Sequence, residues 1–123
     1  MIQLLDISKT YGAVQALKQA HMTVAPGRIT ALLGSNGSGK STLIKILAGL
    51  VSPNTGQVLL DGQEVFIRSG NDAKALGIAT AFQDLSLVPM MTVEENLLLG
   101  DEPTRLAGML DQGSIRQTVT SLL

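Results

Sequence analysis

Residues Gly34 to Ser41 read Gly-Ser-Asn-Gly-Ser-Gly-Lys-Ser, the phosphate-loop pattern of two glycines with four residues between them followed by Lys-Ser/Thr. This pattern constrains the fold because its confirming arrangement is a strand that ends at the loop and a helix that opens from it. Gly34, Gly37 and Gly39 let the backbone turn tightly and come close to anionic oxygens. Successive N–H groups at the start of the helix then form a concave anion site. Lys40 supplies a point charge for the outer phosphates, and the Ser41 hydroxyl is a hard oxygen ligand suited to magnesium. With Gly at ~7% of residues, a Gly/Ser surface loop gives these letters by chance in roughly one chain in two hundred of this length. The flanks decide against chance. Arg28 to Leu33 is a short apolar run that predicts a buried parallel strand. Leu43, Ile44, Leu47 and Leu50 predict a helix from about Gly39 to Ala48, ended by Gly49 and Pro53. The sequence therefore points to nucleotide phosphate binding in an α/β fold.

Composition narrows the alternatives. The length of 123 residues suits one domain. A formal net charge of −1 gives no basic footprint for nucleic acid. The aromatics are Tyr11, Phe66 and Phe82, so no more than one ring is placed to stack on a base. The absence of cysteine excludes disulfides and thiolate metal sites within these residues. No signal-peptide pattern opens the sequence and no apolar run reaches membrane-spanning length, so a cytosolic location without membrane insertion of its own is expected.

Along the chain, strands are expected at Ile2–Ile7, Ala16–Val24, Arg28–Leu33, Gln57–Leu60, Glu64–Ile67 and Ile78–Phe82, with a hairpin-type turn at Asp61-Gly62. A short helix is expected at Asn71–Leu76. Thr92-Val-Glu-Glu95 reads as a capping box opening a helix to about Leu99, and Ser114-Ile-Arg-Gln117 reads as another. Glu94 and Glu95 are accounted for by that box rather than by a general-base role, and His21 reads as a strand residue with no catalytic role.

These residues resemble the nucleotide-binding subunits of ABC (ATP-binding cassette) transporters. Lys9-Thr-Tyr-Gly12 is similar to the segment whose aromatic ring stacks on adenine. Gly34 to Leu43 matches the family's fuller loop form. Leu47-Ala-Gly-Leu50, Pro53, Thr55-Gly56 and Asp61-Gly62 match the stretch that follows, and Phe82-Gln83-Asp84 sits where the family has its glutamine loop. The resemblance covers the whole chain but only the first half of the family's domain. It implies a P-loop NTPase fold of the ABC type, with parallel core strands plus an N-terminal antiparallel β subdomain. On that reading residues 1–90 hold the β subdomain and core up to the glutamine loop, and 91–123 begin the helical subdomain. It implies ATP and Mg2+ as ligands, with Gly34, Ser35, Asn36, Gly37, Ser38, Gly39, Lys40, Ser41 and Thr42 as the cradle. Tyr11 and Val14 then lie at the base, Gln83 reaches magnesium or the attacking water, and Lys40 and Gln83 serve catalysis. The implied partners are transmembrane permease subunits and a second cassette, at the cytoplasmic face of the membrane. Leu76-Gly-Ile-Ala, Gln83 to Pro89, Thr92 to Leu97 and Leu99-Gly100 resemble the monosaccharide-importer branch. The apolar run Leu85 to Met91 is open between core packing and a permease-facing surface.

Rival readings fit less well. Gly37-Ser-Gly39, with Asp61 downstream, begins like a dinucleotide fingerprint, but Thr42 stands where the third glycine belongs and Lys40 has no role there. No Asn-Lys-x-Asp motif marks a GTPase, since Asn71-Asp-Ala-Lys74 differs. The family's Leu-Ser-Gly-Gly-Gln signature, its acidic strand end, adjacent glutamate and late histidine are not found among these residues. The expectation is a chain that holds Mg-ATP but turns it over negligibly alone, with a central apolar strand left unpaired.

Overall fold

The computed structural model describes residues 1–81, 87–99 and 112–122. The chain divides into two compact units, Met1–Ala81 and Phe82–Leu123.

In the first unit, β1 (Ile2–Tyr11) and β2 (Val14–Val24) form a long hairpin. A two-residue turn, Gly12-Ala13, joins them, so Tyr11 and Val14 face each other as the last cross-strand pair. β1 alternates only loosely in sequence because it is bulged. Leu4 and Ile7 are both buried although three residues apart. The register slips between them, and Asp6 takes a φ of 53° at the slip. An extra residue restores Ile7 to the core face. A compensating slip on β2 falls at Gln19, φ 43°. β3 (Thr55–Leu60) pairs antiparallel with the other edge of β1, and β4 (Gln63–Val65) pairs with β3 across the Asp61-Gly62 turn, giving the order β2-β1-β3-β4. The bulge at Asp6 leans onto Gly56, where a Cβ would lie 2.7 Å from the Asp6 backbone; only glycine accepts that approach at φ 102°.

One face of this sheet is covered by α1 (Lys40–Leu47), with α2 (Gly70–Ala75) completing the core. Leu43 and Ile46 of α1 meet Leu4, Ile7, Leu17 and Val58 of the sheet, with Ile67 and Ala73 in the same cluster. α2 starts at Ser69, whose hydroxyl accepts from the Asp72 N–H, while the Asp72 carboxylate accepts from the Arg68 N–H.

Several expected elements differ. Arg28–Leu33 is not a strand: it is exposed throughout, Ile29 at 102% and Leu33 at 87%, and pairs with nothing among the described residues. A strand exists only with a hydrogen-bonding neighbour, and no parallel pairing occurs among the described residues. For the same reason residues 78–81 carry no strand, although Ile78 packs on the core; Phe82 lies outside the described residues. The strand expected to reach Ile67 ends at Val65, freeing Ile67 to turn into the core.

In the second unit, α3 (Val93–Leu98) begins at the expected capping box: the Thr92 hydroxyl accepts from the Glu95 N–H at 3.2 Å, and Glu95 Oε2 accepts from the Thr92 N–H at 2.7 Å. The Asn96 carboxamide ties down the preceding loop, accepting from the Val88 N–H and donating to the carbonyls of Val88, Met91 and Thr92. α4 (Gln112–Leu122) starts before Ser114, so the second expected capping box is instead an internal stretch of helix. Arg116 Nε of α4 lies 3.9 Å from Glu94 Oε1 of α3. No helix among the described residues is long and apolar enough to cross a membrane.

Candidate functional site

The N-terminus of α1 is built to receive an anion. Gly39 is its N-cap, in the left-handed conformation at φ 90°, and offers no side chain to satisfy the first-turn N–H groups. The first turn carries no acidic residue. The positive end of the helix therefore meets neither a capping oxygen nor a competing carboxylate. Gly39 is also pressed against β2: a Cβ there would lie 2.6 Å from both the Ala16 carbonyl oxygen and the Leu17 side chain.

Lys40 is folded over the loop that precedes it. Its ammonium donates to the carbonyls of Gly34 and Ser35, each at 2.6 Å, and reaches the Ser38 hydroxyl at 3.3 Å. The Ser38 N–H closes the turn onto the Ser35 carbonyl at 3.2 Å. The charge is thus held at the rim of the loop by acceptors that an incoming phosphate, being ionic, outcompetes.

The hairpin tip and the loop open on one cleft of about 490 Å³, lined by Tyr11, Val14, Asn36, Gly37, Gly39, Lys40, Ser41 and Thr42, with Gln15 and Ala16 completing the wall. Tyr11 and Val14 arrive as the terminal pair of β1 and β2. The close approach of Gly39 to Ala16 brings that tip beside the start of α1. Tyr11 remains 45% exposed and Val14 66% exposed, so an aromatic face and an aliphatic one stand ready for a flat apolar group. Gly34, Ser35 and Ser38 join the site through Lys40 rather than by lining the cleft. Gln15 and Ala16 escaped the sequence reading. Their place follows from strand register, for which the only sequence signal is the two-residue turn after Tyr11.

Ser41 lies beside Lys40 on the same cleft. A hard cation that takes most of its ligands from phosphate and water fits a donor set with one protein hydroxyl. Among the described residues no group of three or more His, Asp or Glu is placed to hold a metal by itself. Gln83 lies outside the described residues. His21 sits on β2 with Nε2 3.1 Å from Asp6 Oδ1, a local tie across the bulge. Asp61, the acid a dinucleotide fingerprint would need, is in the β3–β4 turn and takes the Met1 ammonium as its partner.

Comparison with known proteins gives a consistent set of likenesses. The sequence pattern of the ABC transporter family matches residues 17–122. A ribose import ATP-binding protein of Mesorhizobium japonicum is 46% identical over 123 residues, which is 100% of this chain and 24% of that protein. The chain spans about a quarter of the length of the curated relatives it matches. The fold is similar to that of a nucleotide-free ATP-binding cassette from an ABC transporter, with a TM-score of 0.73 and 30% identity over 94% of this chain and 45% of that one. A dimeric ATP-binding cassette in a post-hydrolysis state, bound to ADP and phosphate, gives a TM-score of 0.71 and 25% identity over 98% of this chain and 55% of that one. The expected fold class, a cassette with an antiparallel N-terminal sheet, agrees with these neighbours.

Proposed function

Because the chain belongs to the ABC transporter family, we propose that it is the nucleotide-holding part of a transport ATPase and binds Mg-ATP in the cleft between the hairpin tip and α1. The observation that carries this reading is the meeting of Tyr11 and Val14 with Lys40, Ser41 and the uncapped start of α1 on one cleft. The N–H groups of the first turn hold the inner phosphates. Lys40 leaves the Gly34 and Ser35 carbonyls for the outer ones. The Tyr11 ring stacks on the adenine, a contact worth about 1–3 kcal/mol per base, with Val14 beside it. Asn36, Ser35, Ser38 and Thr42 complete the cradle. Magnesium, held by Ser41 with phosphate and water oxygens, would neutralise phosphate charge, and the role proposed for Gln83 rests on the family resemblance alone.

We further propose that the transported substrate is a sugar, in the importer sense, since the relative from Mesorhizobium japonicum bears that description at 46% identity. The partners are permease subunits and a second cassette, at the cytoplasmic face of the membrane. Leu87 and Met90 are 65% and 96% exposed, which favours a partner-facing surface over core packing for the described part of that apolar run.

Phosphoryl transfer depends on positioning metal and water, and the groups that do so in this family are not found among these residues. Titrating a fluorescent ATP analogue with and without magnesium tests the reading. The 123-residue chain is expected to bind, Lys40→Ala and Tyr11→Ala to bind more weakly, and none to release phosphate steadily. Binding that is indifferent to both substitutions, or steady hydrolysis abolished by Lys40→Ala, would overturn it.

A further inference from the structure

Just before Tyr11 in sequence, β1 is stitched to a turn that lines no part of the cleft. Lys9, two residues earlier on β1, places its ammonium 5.3 Å from the Tyr11 ring centroid. The same ammonium donates to the Ser52 carbonyl at 2.7 Å, so it is fixed at both ends. The Asn54 carboxamide oxygen accepts from the Thr10 N–H at 2.8 Å and lies 3.3 Å from the Thr10 hydroxyl. The Asn54 N–H donates to the Ser8 carbonyl at 2.8 Å. The turn is thus bonded to each residue from Ser8 to Thr10, ending one residue before the tyrosine that carries the ring.

A turn leading into a paired strand does not need this many ties to hold its own course, because β3 already pairs with β1 at Ser8 and Thr55. What the ties do fix is the end of β1 up to Thr10, the residue before Tyr11. A half-exposed tyrosine at a hairpin tip otherwise pays rotamer entropy each time it stacks on a ligand. A cation held over the ring restricts that freedom, and Lys9 itself is not among the residues that line the cleft.

We propose that Lys9 and Asn54 are positioning residues for the nucleobase: Lys9 restrains the Tyr11 ring through its ammonium, and Asn54 pins the backbone of Thr10, the residue before it. The proposal rests on the ATP-binding reading given above, and its test separates the two. Affinities of the 123-residue chain for Mg-ATP and for magnesium with inorganic triphosphate are measured by calorimetry. Their ratio reports the nucleoside, base and ribose together, and is independent of the fraction of protein that is folded; its change in Tyr11→Ala isolates the base. Lys9→Met is expected to weaken ATP by about 2- to 5-fold, the fold-change matching an exposed cation–π contact, and to leave triphosphate unchanged. Lys9→Arg, which keeps a cation and a donor, is expected to restore the ratio, and Asn54→Ala to lower it. An unchanged ratio in Lys9→Met, with Tyr11→Ala lowering it, overturns the proposal and leaves the ATP reading standing. An unchanged ratio in Tyr11→Ala removes the base platform and overturns both.

Discussion

Gly39 carries two constraints at once. Its φ of 90° lies where side chains are strained, and a Cβ would strike the Ala16 carbonyl oxygen and Leu17 at 2.6 Å. Gly37, at φ 82°, has open space around it and carries only the first constraint. Gly37→Ala should therefore cost about 1–2 kcal/mol, and Gly39→Ala clearly more, toward about 3 kcal/mol or above, with α1 pushed off β2. Urea denaturation of the two variants checks the order; equal losses would mean that the approach to β2 is not what Gly39 is for. Spacing picked out Lys40 and Ser41, and the family resemblance Tyr11, because the job proposed for each is tied to its residue type. It did not reveal Gln15 and Ala16, nor the second constraint on Gly39, because those depend on which strand lies across from the loop.

α1, α3 and the four strands of the sheet lie close to where the sequence placed them, whereas residues 28–33 and 78–81 carry no strand and α4 starts before Ser114. α1 runs from Lys40 to Leu47 within the expected bounds because a glycine N-cap, an apolar stripe and Gly49 are all local. α3 begins at Thr92 because its capping box is local too, and this element carries a pH prediction. The Thr92 backbone N–H, and then its hydroxyl, hold the Glu95 carboxyl below its ordinary value of 4.5. A group whose value is lowered on folding adds stability above the unfolded value and loses it as pH falls through the folded one. The start of α3 should therefore loosen below about pH 4.5, seen as faster amide exchange at Glu95 and Asn96 after correction for intrinsic rates. Glu95→Gln keeps a hydrogen-bonding side chain at this position without a titrating carboxyl, so its exchange should show no such step. A step of the same size in that variant would place the titration elsewhere. By contrast, the bulge at Asp6 was invisible in sequence, since nothing local distinguishes an extra residue from a loose alternation. Ser114 looked like a helix start only because the turn before it, from Gln112, carries no periodic apolar signal of its own.

At the scale of the whole molecule, the sheet leaves one apolar segment without a partner. The chain has a mean hydropathy of +0.29. Part of that apolar content lies in Arg28–Leu33, where Ile29 is 102% exposed and Leu33 87% exposed. The segment has no proline, one charge (at its first residue) and the β-branched pair Ile29-Thr30. Its backbone groups find no ladder among the described residues, which makes it a template for pairing with another copy. The 123-residue chain by itself is expected to self-associate with rising concentration, with a non-cooperative melt. Ile29→Lys and Leu33→Lys together place like charges where two copies would meet, and should shift the chain toward monomer in sedimentation velocity. Neither residue lines the cleft, so ATP binding should persist in the double variant. This separates the segment's pairing capacity from the site's chemistry. A wild-type chain that stays monomeric at high concentration and melts cooperatively would mean that 28–33 is satisfied within the chain. Self-association unchanged by the lysines would place the sticky surface elsewhere, with the 64% exposed Phe66 the next to test.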